Sequence, residues 1–511
     1  MYSKVYSAAI RGVSMEIVSV ETDVSDGLPC FDMVGLLNSE VREAKERVRS
    51  AIKNTGYLLP PKRITVNLSP ADIRKEGSSF DLPIAIGILN SLGLIGGSNE
   101  DKFKMEKVLI AGELSLSGNV LKMNGVLPMI LAAREKGIRN FIVPGENAAE
   151  GAIIDDVSVY GVKDLRETID LLNGDEKQPE SHIDFKGEYE KHYEHKKHEL
   201  DFSDINGQEC VKRAAKIAAA GMHHMLLVGT PGSGKSMIAR RIPGILPKPD
   251  MEECMEITKI HSIAGELNNE PVIMFRPFRA PHHTVTGKAL VGGGVNPKPG
   301  EIPLAHRGVL FLDELAEFKR DTIDALRQPI EDGKVLINRI GGSYEFPAKI
   351  MLVAATNPCK CGYYPDRNRC NCSEMEVKRY IGKISGPILD RIDICIHAPE
   401  VQAKDIGVRY GETTEDIRKQ VEKVREIQKR RYTSETYRFN SEVPSCDAEK
   451  YCELSEKGKI LLNKVYTNLK LSVRAYYKIL RVARTIADID DSLVIEEKHI
   501  AEAVGYRTEI F

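Results

Sequence analysis

The chain has 511 residues, of which 42% are hydrophobic and 29% are charged, and its formal net charge is −2. This length exceeds what one hydrophobic core supports and predicts about three domains, while the small net charge excludes a protein that binds nucleic acid through a globally basic surface. The ten cysteines, in a chain whose first residues lack a signal-peptide pattern, favour thiols or metal sites in the cytosol over disulfides. Residues 82–99 carry no charge, but their Pro, Gly and Asn content predicts a buried helix and turn rather than a membrane span.

The N-terminal region, residues 1–172, contains several stretches with a recognisable pattern. They are residues 66–70, 75–83, 111–114 and 144–147. These stretches resemble the Lon protease domain, whose proteolysis needs a Ser nucleophile and a Lys base with a lowered pKa. Ser79 falls near the place of the nucleophile, but Leu127 occupies the place of the lysine, and Lys122 lies on the wrong side of the turn. We therefore expect a Lon-like scaffold without peptidase activity, serving as a platform for assembly or for DNA.

Residues 173–200 form a charged, histidine-rich stretch with almost no apolar residues, and this composition predicts an exposed linker. Its histidines, His192, His195 and His198, could bind a metal. No carboxylate or cysteine lies at a fixed offset from them, so solvated side chains are the favoured interpretation.

A phosphate-binding loop follows the apolar run of residues 225–228. The loop reads Gly229, Thr230, Pro231, Gly232, Ser233, Gly234, Lys235, Ser236, which is the pattern G-x-x-x-x-G-K-S after a predicted strand. In this pattern the glycines let backbone N–H groups surround phosphate oxygens, Lys235 reaches the terminal phosphates and the Ser236 hydroxyl binds Mg²⁺. The sequence therefore predicts a site for ATP and Mg²⁺.

Two further predicted strands end in polar side chains. Residues 308–312 lead to Asp313 and Glu314, and residues 350–355 lead to Asn357. We expect Asp313 to hold Mg²⁺, Glu314 to polarise the attacking water and Asn357 to sense the terminal phosphate. Carboxylates at a helix N-terminus and an Asn in a turn are the alternatives, which the preceding phosphate loop makes weaker.

Residues 331–347 alternate as two strands around a Gly-Gly turn and predict a hairpin. Beyond the third strand, Cys359, Cys361, Cys370 and Cys372 have the spacing C-x-C-x8-C-x-C. Four thiolates at this spacing predict a structural Zn²⁺ site that fixes the loop after Asn357. Free thiols or an iron–sulfur cluster are the alternatives.

Several motifs together carry a family resemblance. They are residues 279–284, 292–294, 299–302, 357–362, 390–393 and 471–475. Their order resembles AAA+ ATPases of the magnesium-chelatase and MCM branch and, more closely, the ComM/YifB family. The resemblance implies an α/β fold with a Lon-protease-like α+β domain (1–172), a linker (173–200), an AAA+ core with a parallel sheet (201–400) and a C-terminal α-helical lid (401–511).

The resemblance also implies a homo-oligomeric ring, expected to be a hexamer, with ATP bound between subunits. Arg391 would then be the finger that acts in trans, and Arg474 the second sensor, because guanidinium groups stabilise the charge that phosphoryl transfer spreads over phosphate oxygens. An ion pair of Arg391 with Asp390 or Asp393 is the alternative. Two other arginines compete with Arg474 on the same predicted helix: Arg481 and Arg484.

The same resemblance makes the predicted hairpin a pore element that contacts DNA. Lys334 and Arg339 are available for phosphates and Tyr344 for stacking on bases. The preceding insertion adds Arg276, Arg279, Lys288 and Lys298. The implied function is an ATP-driven motor on DNA, a helicase or branch-migration factor in recombination or natural transformation. A chelatase-type ATPase that remodels a protein partner is the first alternative, and an ATP-dependent protease is the second.

Overall fold

The structure is a computed structural model, and it describes residues 1–95, 104–174, 182–195, 200–268, 270–294, 296–339, 342–401 and 411–508. The N-terminal region contains strands β1 Tyr2–Arg11, β2 Ser14–Ser25, β3 Cys30–Val34, β4 Arg63–Ser69, β5 Val108–Ile110, β6 Glu113–Leu114, β7 Val120–Leu121, β8 Asn140–Pro144 and β9 Ser158–Val162. Its helices are α1 Ser39–Asn54, α2 Asp81–Ser91, α3 Val126–Glu135, α4 Ala148–Gly151 and α5 Leu165–Asn173.

Seven of these strands form one mixed sheet in the order β3-β4-β2-β1-β5-β8-β9. Helix α1 is amphipathic and starts at Asn38, whose side chain accepts a hydrogen bond from the Val41 backbone N–H at 3.0 Å. Helix α2 is almost entirely buried, which confirms that the uncharged stretch from residue 82 begins as a buried helix.

The charged stretch between the two main regions is more ordered than its composition predicts. Helix α6 spans Phe185–His195, and the hydroxyls of Tyr189 and Tyr193 donate hydrogen bonds to the backbone oxygens of Pro249 and Met274 at 2.9 and 2.6 Å. Helix α6 is thus an ordered segment within the predicted linker: its tyrosines anchor it to the following region, while Lys186 and Glu190 are exposed. Residue His198 lies outside the described residues, as does the side chain of His195.

The remaining strands are β10 Met225–Gly229, β11 Phe278–Arg279, β12 Gly292–Gly293, β13 Lys298–Pro299, β14 Val309–Leu312, β15 Lys334–Arg339, β16 Gly342–Pro347, β17 Met351–Thr356 and β18 Ile394–Ala398. The helices up to the last strand are α7 Glu209–Gly221, α8 Lys235–Ile245, α9 Met251–Ala264, α10 Gly287–Val291, α11 Glu301–Leu304, α12 Arg320–Asp324, α13 Arg327–Asp332, α14 Glu374–Ile381 and α15 Gly386–Leu389. The C-terminal helices are α16 Thr414–Arg431, α17 Ala448–Tyr451, α18 Glu456–Asn468, α19 Val473–Ile489 and α20 Glu497–Thr508.

Five strands form a fully parallel sheet in the order β11-β14-β17-β10-β18. Its central strands are buried on both faces and consist of continuous apolar runs, as expected for a parallel sheet covered by helices. The mixed α/β fold with a parallel sheet is thus confirmed. The C-terminal helices share the hydrophobic core of this sheet, since Ile417 of α16 and Ile486 of α19 pack in one cluster with Leu227 of β10.

The N-terminal region is joined to the parallel-sheet region through helices α3 and α9. The Gly125 backbone N–H donates to the Ser262 backbone oxygen at 3.2 Å, and the Ser262 hydroxyl donates to the buried Glu150 carboxylate. Burial raises the pKa of the Glu150 carboxyl, and its hydrogen bonds with Ser262 and the Leu127 backbone N–H oppose that shift. The two regions also share one apolar cluster to which Cys254 and Met274 contribute. Across the described ranges, no helix combines the length and apolarity that a membrane span requires.

Candidate nucleotide-binding site

The predicted phosphate-binding residues meet at one edge of the parallel sheet. Strand β17 lies between β14 and β10, and all three run in the same direction. The carboxyl ends of parallel strands meet at the same edge of a sheet, which is where open α/β sheets bind ligands. Asp313 follows β14, Asn357 follows β17 and the phosphate loop follows β10, so the sequence positions that were predicted separately come together.

In the phosphate loop, the Lys235 side chain is folded back over the loop. Its Nζ donates to the backbone oxygens of Gly229 and Thr230 at 2.8 Å each, and it lies 3.3 Å from Asn357 Oδ1. Gly232 and Gly234 have φ values of 81° and 78°, which L side chains rarely adopt, so these two positions require glycine. Burial lowers the pKa of the Lys235 ammonium, while the carboxylates of Asp313 and Glu314 raise it.

The residues predicted to bind Mg²⁺ are already in contact. The Ser236 hydroxyl donates to Asp313 Oδ2 at 2.6 Å, at the N-terminus of α8. A hydroxyl and a carboxylate are oxygen ligands of the kind that Mg²⁺ takes beside the phosphates of a nucleotide. The two side chains therefore fit the predicted magnesium position.

Glu314 follows Asp313 and has a left-handed backbone with φ 51°, a strained conformation for a residue with a side chain. Its backbone N–H donates to Asp313 Oδ1 at 3.0 Å, and its side chain is about half exposed. The Nδ1 of His283 lies 3.8 Å from Glu314 Oε2. No role was predicted for His283, and its place in the motif of residues 279–284 was the one signal that pointed to it.

The two predicted catalytic arginines lie together at the opposite edge of the sheet. Strand β18 pairs in register with β10 from Met225↔Ile394 to Gly229↔Ala398, and Arg391 comes just before β18. A five-residue strand spans roughly 15 Å, so Arg391 lies that far from the phosphate loop of its own chain. Its Nη2 lies 2.6 Å from Glu331 Oε1, and Arg474 Nη2 lies 2.9 Å from the same oxygen.

The alternative prediction for Arg391 was an ion pair with Asp390 or Asp393. Arg391 does form an ion pair, but its partner is a different residue. Asp393 is buried and pairs with Lys478 of α19 at 2.6 Å, and the nearby charge of Lys478 holds the pKa of Asp393 well below its ordinary value despite burial. Arg391 instead pairs with Glu331, which is distant in sequence. Pairing across such a separation leaves no local signal, which is why sequence reasoning missed Glu331.

The competitors of Arg474 have other contacts. Arg484 is fully buried and pairs with Asp488 at 3.0 Å, so it stabilises the helical region. Arg481 Nη2 lies 3.2 Å from the hydroxyl of Ser445. Of the three arginines, Arg474 is the one whose contact coincides with that of Arg391.

The four predicted zinc ligands form a compact cluster. Their Sγ atoms all lie within 4.8 Å of one another, with four of the separations between 3.3 and 3.8 Å. A tetrahedral Zn²⁺ with Zn–S bonds of about 2.3 Å places its sulfurs about 3.8 Å apart, so the cluster fits this ion. The loop also touches the nucleotide site: a Cβ on Gly362 would lie 2.6 Å from Pro231 Cδ.

Replacing Cys370 and Cys372 together by serine is expected to abolish a stoichiometry of about one zinc per chain, because two neutral hydroxyls cannot replace two thiolate ligands. Elemental analysis of the purified protein measures this. The matched control replaces Cys446, an exposed cysteine outside the cluster, by serine and should keep its zinc. Iron in place of zinc, or no metal in the unsubstituted protein, would contradict the assignment.

The predicted hairpin is present as β15 and β16, which pair from Lys334↔Pro347 to Arg339↔Gly342. Lys334 and Arg339 are exposed, and Lys334 pairs with Glu345 at 2.9 Å across the strands. Tyr344 is half-buried, and together with Val13 of the N-terminal region it packs against one apolar cluster. Both basic side chains are therefore accessible to phosphates, whereas Tyr344 is partly covered.

The insertion before β14 divides into structural and exposed cations. Arg276 is buried and pairs with the buried Glu253 at 2.7 Å, and Arg279 pairs with Glu301 and Glu266 at 2.7 and 2.8 Å. The prediction that Arg276 contacts DNA is wrong, because it is buried in the core with its carboxylate partner. Arg279 is partly exposed, and its contact with DNA stays a prediction. Lys288 and Lys298 are exposed.

The residues that resemble a protease site line a cavity of about 350 Å³ between the N-terminal region and the parallel-sheet region. Ser79 and Lys122 both line it, as does Tyr344 of the hairpin. Leu127, at the place of the expected lysine, is fully buried at the start of α3. The buried leucine supplies no base, so the absence of peptidase activity stays a prediction.

The chain is similar in sequence to one group of known proteins over almost its full length. Family profiles described as "Magnesium chelatase, subunit ChlI", "Subunit ChlI of Mg-chelatase" and "Magnesium chelatase, subunit ChlI C-terminal" match residues 201–406, 20–147 and 411–507. The chain is 43% identical to the competence protein ComM of Haemophilus influenzae, over 99% of this chain and 97% of that protein. It is 39% identical to the protein YifB of Escherichia coli over 99% and 97% of the two chains.

A more distant relative matches a smaller part. The magnesium-chelatase 38 kDa subunit of Cereibacter sphaeroides is 29% identical over 31% of this chain and 52% of its own length.

Proposed function

Because the chain belongs to the ComM/YifB family of magnesium-chelatase-like AAA+ ATPases, we propose that it is an ATP-hydrolysing motor that assembles into a homo-oligomeric ring and acts on DNA. ATP and Mg²⁺ are its cofactors and the cysteine cluster holds a structural Zn²⁺. A cytoplasmic location is part of this proposal.

One observation supports the proposed ring. The phosphate loop and Glu314 lie at one edge of the parallel sheet, whereas Arg391 and Arg474 lie together at the other. A single chain therefore does not bring these guanidinium groups to its own nucleotide. A neighbouring subunit that presents them to the terminal phosphate completes the site, and closed rings are formed by such head-to-tail contacts. A hexamer is the ring size we propose.

The DNA substrate is supported by the hairpin and by the competence relative. Lys334 and Arg339 are exposed on β15, and Lys288 and Lys298 are exposed on the insertion. Phosphate contacts from lysine and arginine supply sequence-independent affinity for DNA. We propose helicase or branch-migration activity on single-stranded or branched DNA, in recombination or natural transformation.

The direct test measures ATP hydrolysis by the full-length protein without DNA, with single-stranded DNA and with forked DNA, across a series of salt concentrations. We expect DNA to stimulate hydrolysis several-fold and the apparent DNA affinity to fall steeply with salt, because counterions are released from phosphates. Replacing Lys334 and Arg339 by alanine should reduce the salt slope by about two, one for each lost phosphate contact. The control replaces Lys429, an exposed lysine on α16, and should keep the slope.

The chelatase relative supports a second candidate, an ATPase that remodels a protein partner. Hydrolysis that a protein stimulates and DNA does not would favour it. ATP-dependent proteolysis is the third hypothesis, which Leu127 opposes; degradation of casein by the purified protein would support it.

A further inference from the structure

Among the residues that the structure describes, Glu331 is the one carboxylate that contacts both arginines of the proposed trans site. It lies near the end of α13, and its Oε1 is 2.6 Å from Arg391 and 2.9 Å from Arg474. Arg391 and Arg474 belong to different parts of the chain, since one precedes β18 and the other begins α19. One acidic side chain therefore fixes the relative position of both guanidinium groups.

The charge around Glu331 is unbalanced. The three residues line a cavity of about 570 Å³. Three other cations that line it have carboxylates of their own: Lys478 pairs with Asp393, Arg307 with Glu256 and Lys349 with Glu442. Arg481 also lines the cavity, but its guanidinium contacts the Ser445 hydroxyl instead of a carboxylate. The guanidinium groups of Arg391, Arg474 and Arg481 thus face the carboxylates of Glu331 and Asp332, which leaves one positive charge in excess. The Nε of Arg391 is buried without a hydrogen-bond partner among the described residues. This arrangement favours a further anion beside Arg391.

Glu331 is also connected to the hairpin that is proposed to contact DNA. Gly333 follows α13 with φ 63°, and β15 begins at the next residue. Both ends of the hairpin are bound to this turn, because the Ala348 backbone N–H donates to the Gly333 oxygen at 2.7 Å and the Gly333 N–H donates to the Pro329 oxygen at 3.0 Å. A displacement of the hairpin therefore moves the end of α13 and the carboxylate on it.

We propose that Glu331 is a positioning residue that makes ATP hydrolysis depend on DNA. Without DNA, its carboxylate occupies Arg391 and Arg474 and competes with the triphosphate of the neighbouring subunit. When DNA displaces the hairpin, the carboxylate withdraws and the phosphate oxygens take its place. This inference rests on the proposed function and adds the element that regulates the trans site.

The test compares Glu331→Gln with the unsubstituted full-length protein in ATPase assays with and without single-stranded DNA. The glutamine keeps the size of the side chain and removes its charge. We expect the DNA-free rate to rise about three- to tenfold, as for the loss of two partly exposed ion pairs, while the rate at saturating DNA changes less than about twofold. Glu331→Asp keeps the charge and should restore DNA dependence in part. Glu426→Gln removes a similarly exposed carboxylate, paired with Lys429 at 3.0 Å on α16, and should change neither rate.

A DNA-free rate that stays the same or falls in Glu331→Gln, with the stimulation ratio preserved, would overturn the proposal and leave Glu331 a structural residue of α13. Thermal unfolding of the same variants separates the two roles, because a structural loss lowers the unfolding midpoint together with both rates. Failure of the proposed function has a different signature: the unsubstituted protein would show no stimulation by DNA. The DNA-free rates would then still decide whether Glu331 restrains the arginines.

Discussion

Replacing Glu314 by glutamine is expected to slow ATP hydrolysis by about two to four orders of magnitude while ATP binding is retained. The carboxylate is the group that polarises the attacking water, and the isosteric amide cannot accept its proton. ATP binding depends on the phosphate loop and on Lys235, whose contacts do not involve the Glu314 side chain. Single-turnover phosphate release and equilibrium titration with a fluorescent ATP analogue measure the two properties separately.

The matched control for this variant is Glu317→Gln. Glu317 lies three residues further on, at similar exposure, and pairs with Lys383 at 3.3 Å. Its substitution should leave hydrolysis within about twofold, as expected for a surface ion pair. Equal losses in both variants would indicate disruption of the loop, and near-normal hydrolysis in Glu314→Gln would remove Glu314 from the catalytic role.

The second large effect is expected for Arg391. Its replacement by alanine should lower hydrolysis by about three orders of magnitude, the range that arginine fingers contribute to phosphoryl transfer. Arg391→Lys should recover only a small part, because a point charge lacks the planar fork of the guanidinium. The steady-state ATPase rate at a protein concentration that supports the ring measures both variants.

Mixing separates action in trans from action within one chain. Subunits with Arg391→Ala are combined with subunits carrying Lys235→Ala, each inactive alone. In a head-to-tail ring of equal parts, about one quarter of the interfaces combine an intact phosphate loop with an intact finger, so activity should return to roughly that share. A mixture as inactive as its components would contradict the arrangement in trans, and full activity in a strictly monomeric protein would contradict the ring.

The nucleotide site could be predicted closely because its parts depend on local patterns. Each of Lys235, Asp313 and Asn357 follows an apolar run, and parallel strands bring such positions to one edge of a sheet. The cysteine cluster was predicted from spacing for the same reason. The Lon-like character of the N-terminal domain and the domain boundaries stay predictions.

What the sequence did not reveal are pairings between distant residues. From the sequence alone, Arg276 is one of several basic residues predicted to contact nucleic acid. In the structure, its ion pair with the buried Glu253 holds it in the core. Arg391 has aspartates on both sides, but its partner is Glu331. The tyrosines of α6 were hidden in a charged stretch because two anchoring side chains hardly change its composition.

The shared apolar cluster between the two main regions has a practical consequence for how this motor can be studied. Residues such as Cys254, Val272 and Met274 belong to the parallel-sheet region. They pack in one cluster with side chains of the N-terminal region such as Met129 and Phe141. A truncated protein starting near residue 201 would expose this apolar surface to water and self-associate through it. Both regions should therefore be purified as one polypeptide. A change in shape during the nucleotide cycle should move the N-terminal region together with α9, to which it is fixed.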